Sequence, residues 1–156
     1  MLLSYRLPRE PSTPRITVWR KLKRLGVAQL GDGLVALPAD ARTQEQLEWI
    51  AEEIGEAGGS CSLWRARLMS RSQERALIRG MAEARAVEYR AIRDRATAAG
   101  STDAERRRAL RTLRGELRKV RRRDFFPPPE CDEARAAVQA LRDEGKSTAA
   151  AMEVGS

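Results

Sequence analysis

Residues 13–38 constrain the fold of this chain most strongly, because a basic amphipathic helix runs there directly into a tight β-hairpin. Thr13 is the predicted N-cap, Pro14 suits the first helical turn, and Gly26 is placed to end the helix in a left-handed conformation. A helical wheel separates an apolar side from a basic side: Val18, Leu22 and Leu25 lie on the first, and Arg20, Lys23 and Arg24 on the second. One side is therefore expected to pack and the other to offer positive charge.

The elements around this helix predict an α+β fold. Gly31-Asp32-Gly33 is a strong turn signal between two short strands, residues 27–30 and 34–37. Three further elements complete the pattern: a strand at residues 2–7, a helix that opens at a Thr43 and Gln46 capping box, and a strand at residues 60–68. The order β-α-β-β-α-β is that of the ferredoxin-like fold, in which both helices cover one face of a four-stranded sheet.

A second topology suits the same residues. A basic helix followed by a hairpin also resembles the recognition helix and wing of a winged-helix domain. No second helix immediately precedes Thr13 to complete a helix-turn-helix. We prefer the ferredoxin-like arrangement of residues 13–38, and the sequence alone leaves both arrangements open.

Long helices are predicted from Ser70 onward. Ser70 with Gln73, and Thr102 with Glu105, form capping-box patterns that open the two helices of a helical hairpin. The second helix carries an apolar seam of Leu110, Leu113, Leu117 and Val120. A run of three prolines ends it, and a short last helix is expected from Glu130 to Glu144. The predicted domains are a ferredoxin-like core at residues 1–69, a helical extension packed on the core at residues 70–145, and a disordered tail at residues 146–156.

The charge of the chain is uneven and indicates a polyanionic partner. The formal net charge is +8, and residues 70–123 carry 17 Lys and Arg against 7 Asp and Glu. A basic patch of this size is typical of nucleic-acid binding. Arginines that pair with acids on neighbouring helices would give the same count, so this reading stays open.

The chain contains no histidine and only two cysteines, Cys61 and Cys131, which lie far apart. This composition removes Ser-His and Cys-His nucleophiles, histidine-ligated metals and Cys-x-x-Cys motifs. We therefore expect a protein without catalytic activity, cofactor or metal. Neither a signal peptide nor a membrane span is visible in the sequence, so a cytoplasmic location and no membrane partner are expected.

Two basic faces are the candidate DNA contacts. The first lies on the helix near the N-terminus and consists of Arg15, Arg20, Lys21, Lys23 and Arg24. The second lies on the helix with the apolar seam and consists of Arg107, Arg111, Arg114, Arg118 and Arg122. Both faces have the charge and reach that phosphate contacts need, and a merely solvated basic surface would have the same sequence pattern.

Two side chains depart from the pattern of their helices. Arg85 lies within an apolar stripe, where a guanidinium needs a partner. Glu74 and Glu88 are the predicted partners in a structural ion pair, and the alternative is a pocket for a small oxyanion effector. Trp49 lies opposite the apolar stripe of its helix, among glutamates, and is predicted to lie in an intramolecular or dimer interface.

Three stretches of the sequence resemble one family. They are LPREPSTPRITVWRKLKRLGVAQLGDGLVALP near the start, EARAVEYRAI around Arg85, and RRRDFFPPPECDEARAAVQAL near the end. Together they are similar to the N-terminal domain of ChrB, the chromate resistance regulator, over residues 1–145. The resemblance implies a cytoplasmic bacterial DNA-binding transcription regulator, or an accessory module, that represses a chromate efflux operon. It would place DNA contacts on Arg15, Arg20, Lys21, Lys23 and Arg24.

The resemblance has one departure, and other functions stay open beside it. Full-length ChrB proteins continue into a C-terminal domain associated with chromate sensing, which this chain is expected to lack. A homodimer is expected. One alternative is a structural interaction module whose arginine-rich helix pairs with the acidic face around Trp49. Another is a degenerate nuclease, because residues 1–68 also look like the ferredoxin-like domains of Cas2 and of PaaX-type repressors. The metal-holding acid that ends the first strand of Cas2 is missing from Leu3-Ser4-Tyr5-Arg6, which disfavours the nuclease.

Overall fold

The computed structural model describes the backbone of residues 1–100 and 102–153, with side chains as far as residue 144. Four strands and five helices follow one another along these described residues. In chain order they are β1 (Leu2–Arg6), α1 (Thr13–Leu25), β2 (Ala28–Gly31), β3 (Leu34–Ala36), α2 (Ala41–Glu56), β4 (Ser60–Trp64), α3 (Arg71–Thr97), α4 (Asp103–Arg122) and α5 (Glu130–Glu153). The chain divides into an N-terminal unit, Met1–Met81, and a C-terminal unit, Ala82–Ser156.

The strands of the N-terminal unit form one antiparallel sheet in the order β2-β3-β1-β4. Leu3 of β1 lies opposite Val35 of β3 on one side and Leu63 of β4 on the other. The central pair β3-β1, with β2 and β4 at the edges, is the sheet order of the split βαβ arrangement. The predicted ferredoxin-like fold is therefore confirmed, and the winged-helix arrangement of residues 13–38 is wrong because β1 continues the hairpin into a four-stranded sheet.

Helices α1 and α2 supply the rest of the core of this unit. Their buried side chains recur every three or four residues, as an amphipathic helix requires: Val18 and Leu22 on α1, and Leu47, Ile50 and Ile54 on α2. Helix α2 contacts β1 and β4, and the Cys61 thiol lies 3.5 Å from the carbonyl oxygen of Ala51. Helix α1 ends at Gly26, whose φ of 79° is left-handed as predicted.

The helix starts differ from the predicted caps. Ser12, not Thr13, is the N-cap of α1, and its side chain makes no capping hydrogen bond. Helix α2 begins earlier than predicted, because Asp40 is its N-cap and forms a capping box with Thr43. The buried Thr43 hydroxyl donates to the carbonyl oxygen of Pro38 at 2.5 Å, which fixes the residue inside the first turn. Thr43 is therefore the third residue of the helix and not its cap.

Strand β4 ends at Trp64, four residues before the predicted end at Leu68. Trp64 itself lies at the surface, and 58% of the residue is exposed. Side chains alternate along a strand. Leu63 lies beside the buried Leu3, so Trp64 must point to the opposite face of the sheet.

The C-terminal unit packs the second half of α3 with α4 and α5 around Tyr89. Its buried side chains are Tyr89, Ile92, Ala96, Leu113, Val120, Ala134, Val138 and Leu141. The predicted seam of α4 takes part, with Leu113 and Val120 buried and Leu110 and Leu117 packed against them. Two ion pairs join α3 to the first turn of α5: Arg90 to Glu130 and Arg93 to Glu133, both at 2.7 Å.

Helix α5 is longer than predicted. It runs through Gly145 to Glu153, so residues 146–153 of the predicted disordered tail are helical, while residues 154–156 lie outside the described residues. The boundary between the two units lies at Met81 and Ala82, within α3. Over the described part of the chain, no helix is both long and apolar enough to cross a bilayer.

Candidate nucleic-acid interface

Helix α4 presents its cations on the side opposite its apolar seam. The helix opens at a capping box, in which the Thr102 hydroxyl accepts from the backbone N–H of Glu105 and the Glu105 carboxylate accepts from that of Thr102. These hydrogen bonds lower the pKa of the Glu105 carboxyl below its ordinary value. Leu113 and Val120 face the core, so residues spaced three or four apart on the other side share one exposed face.

We call that face the arginine stripe; it consists of Arg107, Arg111, Arg114, Arg118 and Arg122. All five residues are exposed, and at a rise of about 1.5 Å per residue the stripe is about 22 Å long. Arg111, Arg114 and Arg118 form no ion pair or hydrogen bond within residues 1–100 and 102–144. Arg107 is held by Asp103 at 2.5 Å. The middle of the stripe therefore offers three guanidinium groups to a partner.

The predicted basic face of α1 is only partly available. Lys21 forms an ion pair with Glu53 of α2 at 2.6 Å, so its charge is compensated within the unit. The Lys23 ammonium lies 5.2 Å from the centre of the Trp19 ring, a cation–π distance. Arg15, Arg20 and Arg24 are exposed and form no ion pair in the described part of the chain. The partner of Lys21 had no sequence signal, because Glu53 lies 32 residues away on another helix.

Arg85 belongs to a cluster of charges in the C-terminal unit. Its guanidinium lies 2.8 Å from Glu88, and the same carboxylate also binds Arg123 at the end of α4. The Arg85 and Arg123 side chains are 15% and 22% exposed, and the Nε atom of each is buried without a hydrogen-bond partner. Burial lowers the pKa of Arg85 below its ordinary value, and Glu88 opposes that shift. The predicted ion pair with Glu88 is present.

The other predicted partner of Arg85 is absent from this cluster. Glu74 lies eleven residues earlier on α3, which corresponds to about 16 Å along a helix axis. Sequence spacing placed both acids on one side of the helix but did not weigh the distance along it. Arg123 and Asp124, which sequence analysis did not connect with Arg85, lie near it instead.

Asp124 joins this cluster to the core through Tyr89. The Tyr89 hydroxyl donates to the Asp124 carboxylate at 2.8 Å. Burial raises the pKa of Tyr89 well above its ordinary value, and hydrogen bonds with Cys131 and Asp124 raise it further. Cys131 and Cys61 are both free thiols. Among the described residues, no group of three or more aspartates, glutamates or cysteines is arranged to hold a metal ion.

Trp49 lies on the exposed face of α2, as its sequence position indicated, and 63% of the residue is exposed. Beside it, a groove of about 550 Å³ runs between α1 and α2. Leu25 and Ile50 form apolar parts of its wall, and Lys21 and Glu53 lie at its rim. The N-terminal unit therefore carries a second accessible surface whose charge differs from that of the arginine stripe.

The sequence matches the family described as protein ChrB, N-terminal, over residues 15–152. The chain belongs to the ChrB N-terminal family. A curated relative, protein ChrB of Cupriavidus metallidurans, is 30% identical over 142 residues, which cover 81% of this chain and 40% of the relative. The chain thus spans about two fifths of the length of that ChrB protein. No solved structure matches the chain.

Proposed function

We propose that this chain is a DNA-binding regulatory module of the ChrB type, linked to chromate resistance, which acts without catalysis in the cytoplasm and forms a homodimer when no DNA is bound. The observation that carries the proposal is the middle of the arginine stripe. Arg111, Arg114 and Arg118 are exposed along one helix face and have no ion-pair partner in the described residues. Unpaired cations in a row are costly to a helix, because like charges three or four residues apart repel one another. Phosphate groups would remove that repulsion.

The stripe suits the backbone of a nucleic acid. Arginine binds phosphate oxygens through two N–H groups at once, and each phosphate that is neutralised releases condensed counterions. Such contacts set affinity and position, while base contacts set sequence preference. The exposed cations of α1, namely Arg15, Arg20 and Arg24, form a second set for the same role. Lys21 contributes least, because Glu53 already compensates it.

A titration of the chain against duplex DNA at several salt concentrations tests this proposal. With three to five phosphate contacts, the logarithm of the association constant should fall by about 3–5 per tenfold rise in salt. The duplex should be taken from the region upstream of the gene. No binding at about 50 mM salt would contradict the proposed function.

A single substitution assigns the contact to the stripe. Arg114→Ala should weaken binding to all duplexes alike and reduce the salt slope by about one, because one phosphate contact is lost. Arg135→Ala is the matched control: Arg135 is an exposed arginine on α5 that pairs with Asp132. Equal effects of the two substitutions would show that general charge, and not the stripe, attracts DNA.

A small oxyanion effector at Arg85 stays part of the proposal. Two guanidinium groups share the Glu88 carboxylate there, with Asp124 as the second acid nearby, and the Nε atom of each arginine is buried without a hydrogen-bond partner. An oxyanion would have to replace Glu88 at one of the two arginines or bind beside it. Isothermal titration of the chain with tungstate, with sulfate as a second tetrahedral anion, should give heat that Arg85→Lys reduces. No heat from either anion at millimolar concentration would exclude the site.

A further inference from the structure

The exposed face of α2 has a regular composition around Trp49. Glu45, Trp49, Glu52 and Glu56 follow one another at spacings of four, three and four residues. Residues at these spacings lie in one line along a helix, and a helix pair keeps such a line in contact over several turns. We call this line the α2 seam. All four of its residues are exposed.

The acidic side chains of the seam have no partner in the part of the chain that the structure describes. Within residues 1–100 and 102–144, the carboxylates of Glu45, Glu52 and Glu56 form no ion pair or hydrogen bond. The neighbouring acids differ in this respect: Glu53 binds Lys21, and Glu48 accepts from Gln44. An exposed tryptophan between free carboxylates is unusual on a surface that meets only water, because the indole gains most when it is covered.

The arginine stripe has the same spacing and the opposite charge. Arg107, Arg111, Arg114 and Arg118 also lie four, three and four residues apart. When the two lines are aligned in parallel, Arg111 meets Trp49, Arg114 meets Glu52, and Arg118 meets Glu56. The first is a cation–π pair, and the other two are ion pairs. Arginine and tryptophan are also the residues that most often dominate protein interfaces.

We propose that the α2 seam binds the arginine stripe of a second copy of this chain. These three arginines are the ones in the stripe that have no partner in the described residues of their own chain. The same three side chains are the DNA contacts of the proposed function, so self-association and DNA binding exclude one another. This exclusion rests on the DNA-binding function proposed above, whereas the self-association does not.

Sedimentation velocity without DNA tests the contact between copies. At about 50 mM salt, the wild-type chain should self-associate at micromolar to tens of micromolar concentration, and 500 mM salt should weaken this association. The double substitution Glu52→Arg and Glu56→Arg should raise the dissociation constant by about tenfold or more, because attraction becomes repulsion. A wild-type chain that stays monomeric at 100 µM would overturn the proposal.

A charge-swap experiment identifies the partner surface. The double substitution Arg114→Glu and Arg118→Glu should also abolish self-association when this variant is studied alone. A mixture of the two double variants should associate, since each seam then meets a stripe of opposite charge. A mixture that remains monomeric would show that the seam and the stripe are not partners.

A control separates this contact from net charge. The double substitution Asp132→Arg and Asp143→Arg makes the same change in charge on exposed α5 positions outside both lines. This variant should associate as the wild type does. Loss of association in this control would mean that overall charge repulsion weakens association in both variants, and it would overturn the proposed contact of the α2 seam. Circular dichroism should show the same helix content in every variant.

Added duplex tests the exclusion. A DNA fragment with one binding site should convert the self-associated chain into single copies bound to DNA. Retention of the seam contact in the DNA complex would overturn the exclusion. Failure to bind DNA at all would contradict the proposed function. The association measured without DNA would still test whether the α2 seam binds the arginine stripe of a second copy.

Discussion

Glu88 compensates the charge of two largely buried arginines, Arg85 and Arg123, in the C-terminal unit. Its carboxylate binds both Arg85 and Arg123, and 28% of its side chain remains exposed. A charged group that is taken from water needs a nearby opposite charge, because the free energy of its lost hydration is large. One carboxylate between two guanidinium groups meets this need and ties the middle of α3 to the end of α4. The cluster is therefore expected to stabilise the pairing of these helices.

Replacing Glu88 should show the strength of this cluster. Glu88→Gln keeps the shape of the side chain but removes the carboxylate that binds both arginines, so that Asp124 is the acid that remains near Arg85. We expect the free energy of unfolding to fall by about 2 kcal/mol, which is less than the 3–5 kcal/mol for a fully buried pair because water still reaches this one. Urea denaturation measures the change.

Glu133→Gln is the matched control for Glu88→Gln. Glu133 is half exposed and pairs with Arg93 on the surface, so its replacement should change stability by less than about 1 kcal/mol. A Glu88→Gln variant as stable as this control would mean that solvent, and not Glu88, compensates Arg85 and Arg123.

At the scale of elements, the hairpin shows how a local signal fixes a turn. Gly33 has a φ of 68°, and its carbonyl oxygen accepts from the backbone N–H of Tyr5 at 2.7 Å. A Cβ atom on Gly33 would collide with the carbonyl oxygen of Tyr5. Glycine is therefore required here for two reasons, the left-handed backbone and the close approach of β1.

Alanine substitutions at Gly31 and Gly33 should show whether the left-handed backbone and the close approach of β1 make Gly33 necessary, or whether any glycine in the turn matters equally. Gly33→Ala should lower the free energy of unfolding by more than about 2 kcal/mol, since the backbone strain of about 1 kcal/mol adds to the collision with β1. Gly31→Ala is the control, because no atom lies within 4 Å of its Cβ position and its φ is not left-handed. Thermal unfolding that shifts equally in both variants would contradict the role of Gly33.

Local signals predicted some elements well and others poorly. The Thr102 cap of α4 and the Gly31-Asp32-Gly33 turn depend on residues within four positions, so the sequence determines them directly. The predicted start of α2 was wrong because two capping patterns overlap there, Asp40 with Thr43 and Thr43 with Gln46. The hydrogen bond from the Thr43 hydroxyl to the Pro38 carbonyl oxygen selects the first. The exposure of Trp64 does not follow from the sequence, because alternation shows which residues share a face of the sheet but not which face is covered.

The same limit applies to the candidate site. The positions of the arginine stripe follow from helical periodicity, and all five residues are exposed as that pattern indicates. Compensation of charge does not follow from periodicity. Lys21 meets Glu53 on another helix, and Arg123 meets Glu88 across 35 residues. Which cations remain unpaired is therefore a property of the tertiary structure.

At the scale of the whole molecule, two units of different construction share one chain. The N-terminal unit consists of an antiparallel sheet with two helices and carries the α2 seam. The C-terminal unit has a helical core and carries the arginine stripe. The match to the ChrB N-terminal family, over residues 15–152, covers most of both units.

The stability of the chain should depend on Tyr89 at alkaline pH. Its pKa in the folded protein is raised above the ordinary value of 10, so folding favours the neutral hydroxyl. This contribution is fully present below pH 10 and is lost as the pH rises toward the pKa of the folded state. Melting temperatures should therefore fall more steeply above pH 10 in the wild type than in Tyr89→Phe.

The Tyr89→Phe variant provides its own internal comparison. Below pH 10 it should be less stable than the wild type by about 1–2 kcal/mol, because Asp124 loses its hydrogen bond. Tyr5, whose pKa burial also raises, is present in both proteins and does not affect the difference. Parallel curves for the two proteins between pH 9 and 11.5 would contradict the role of Tyr89.

The two ion pairs between α3 and α5 have a consequence for the length of the proline segment. Arg90 and Arg93 lie three residues apart, as do Glu130 and Glu133, so both pairs form in only one rotational setting of α5. Deletion of one residue from Pro127-Pro128-Pro129 would shorten the connection between α4 and α5, so α5 would have to move from this setting and both pairs would be lost together. Natural variants of this segment should therefore differ in composition far more freely than in number of residues.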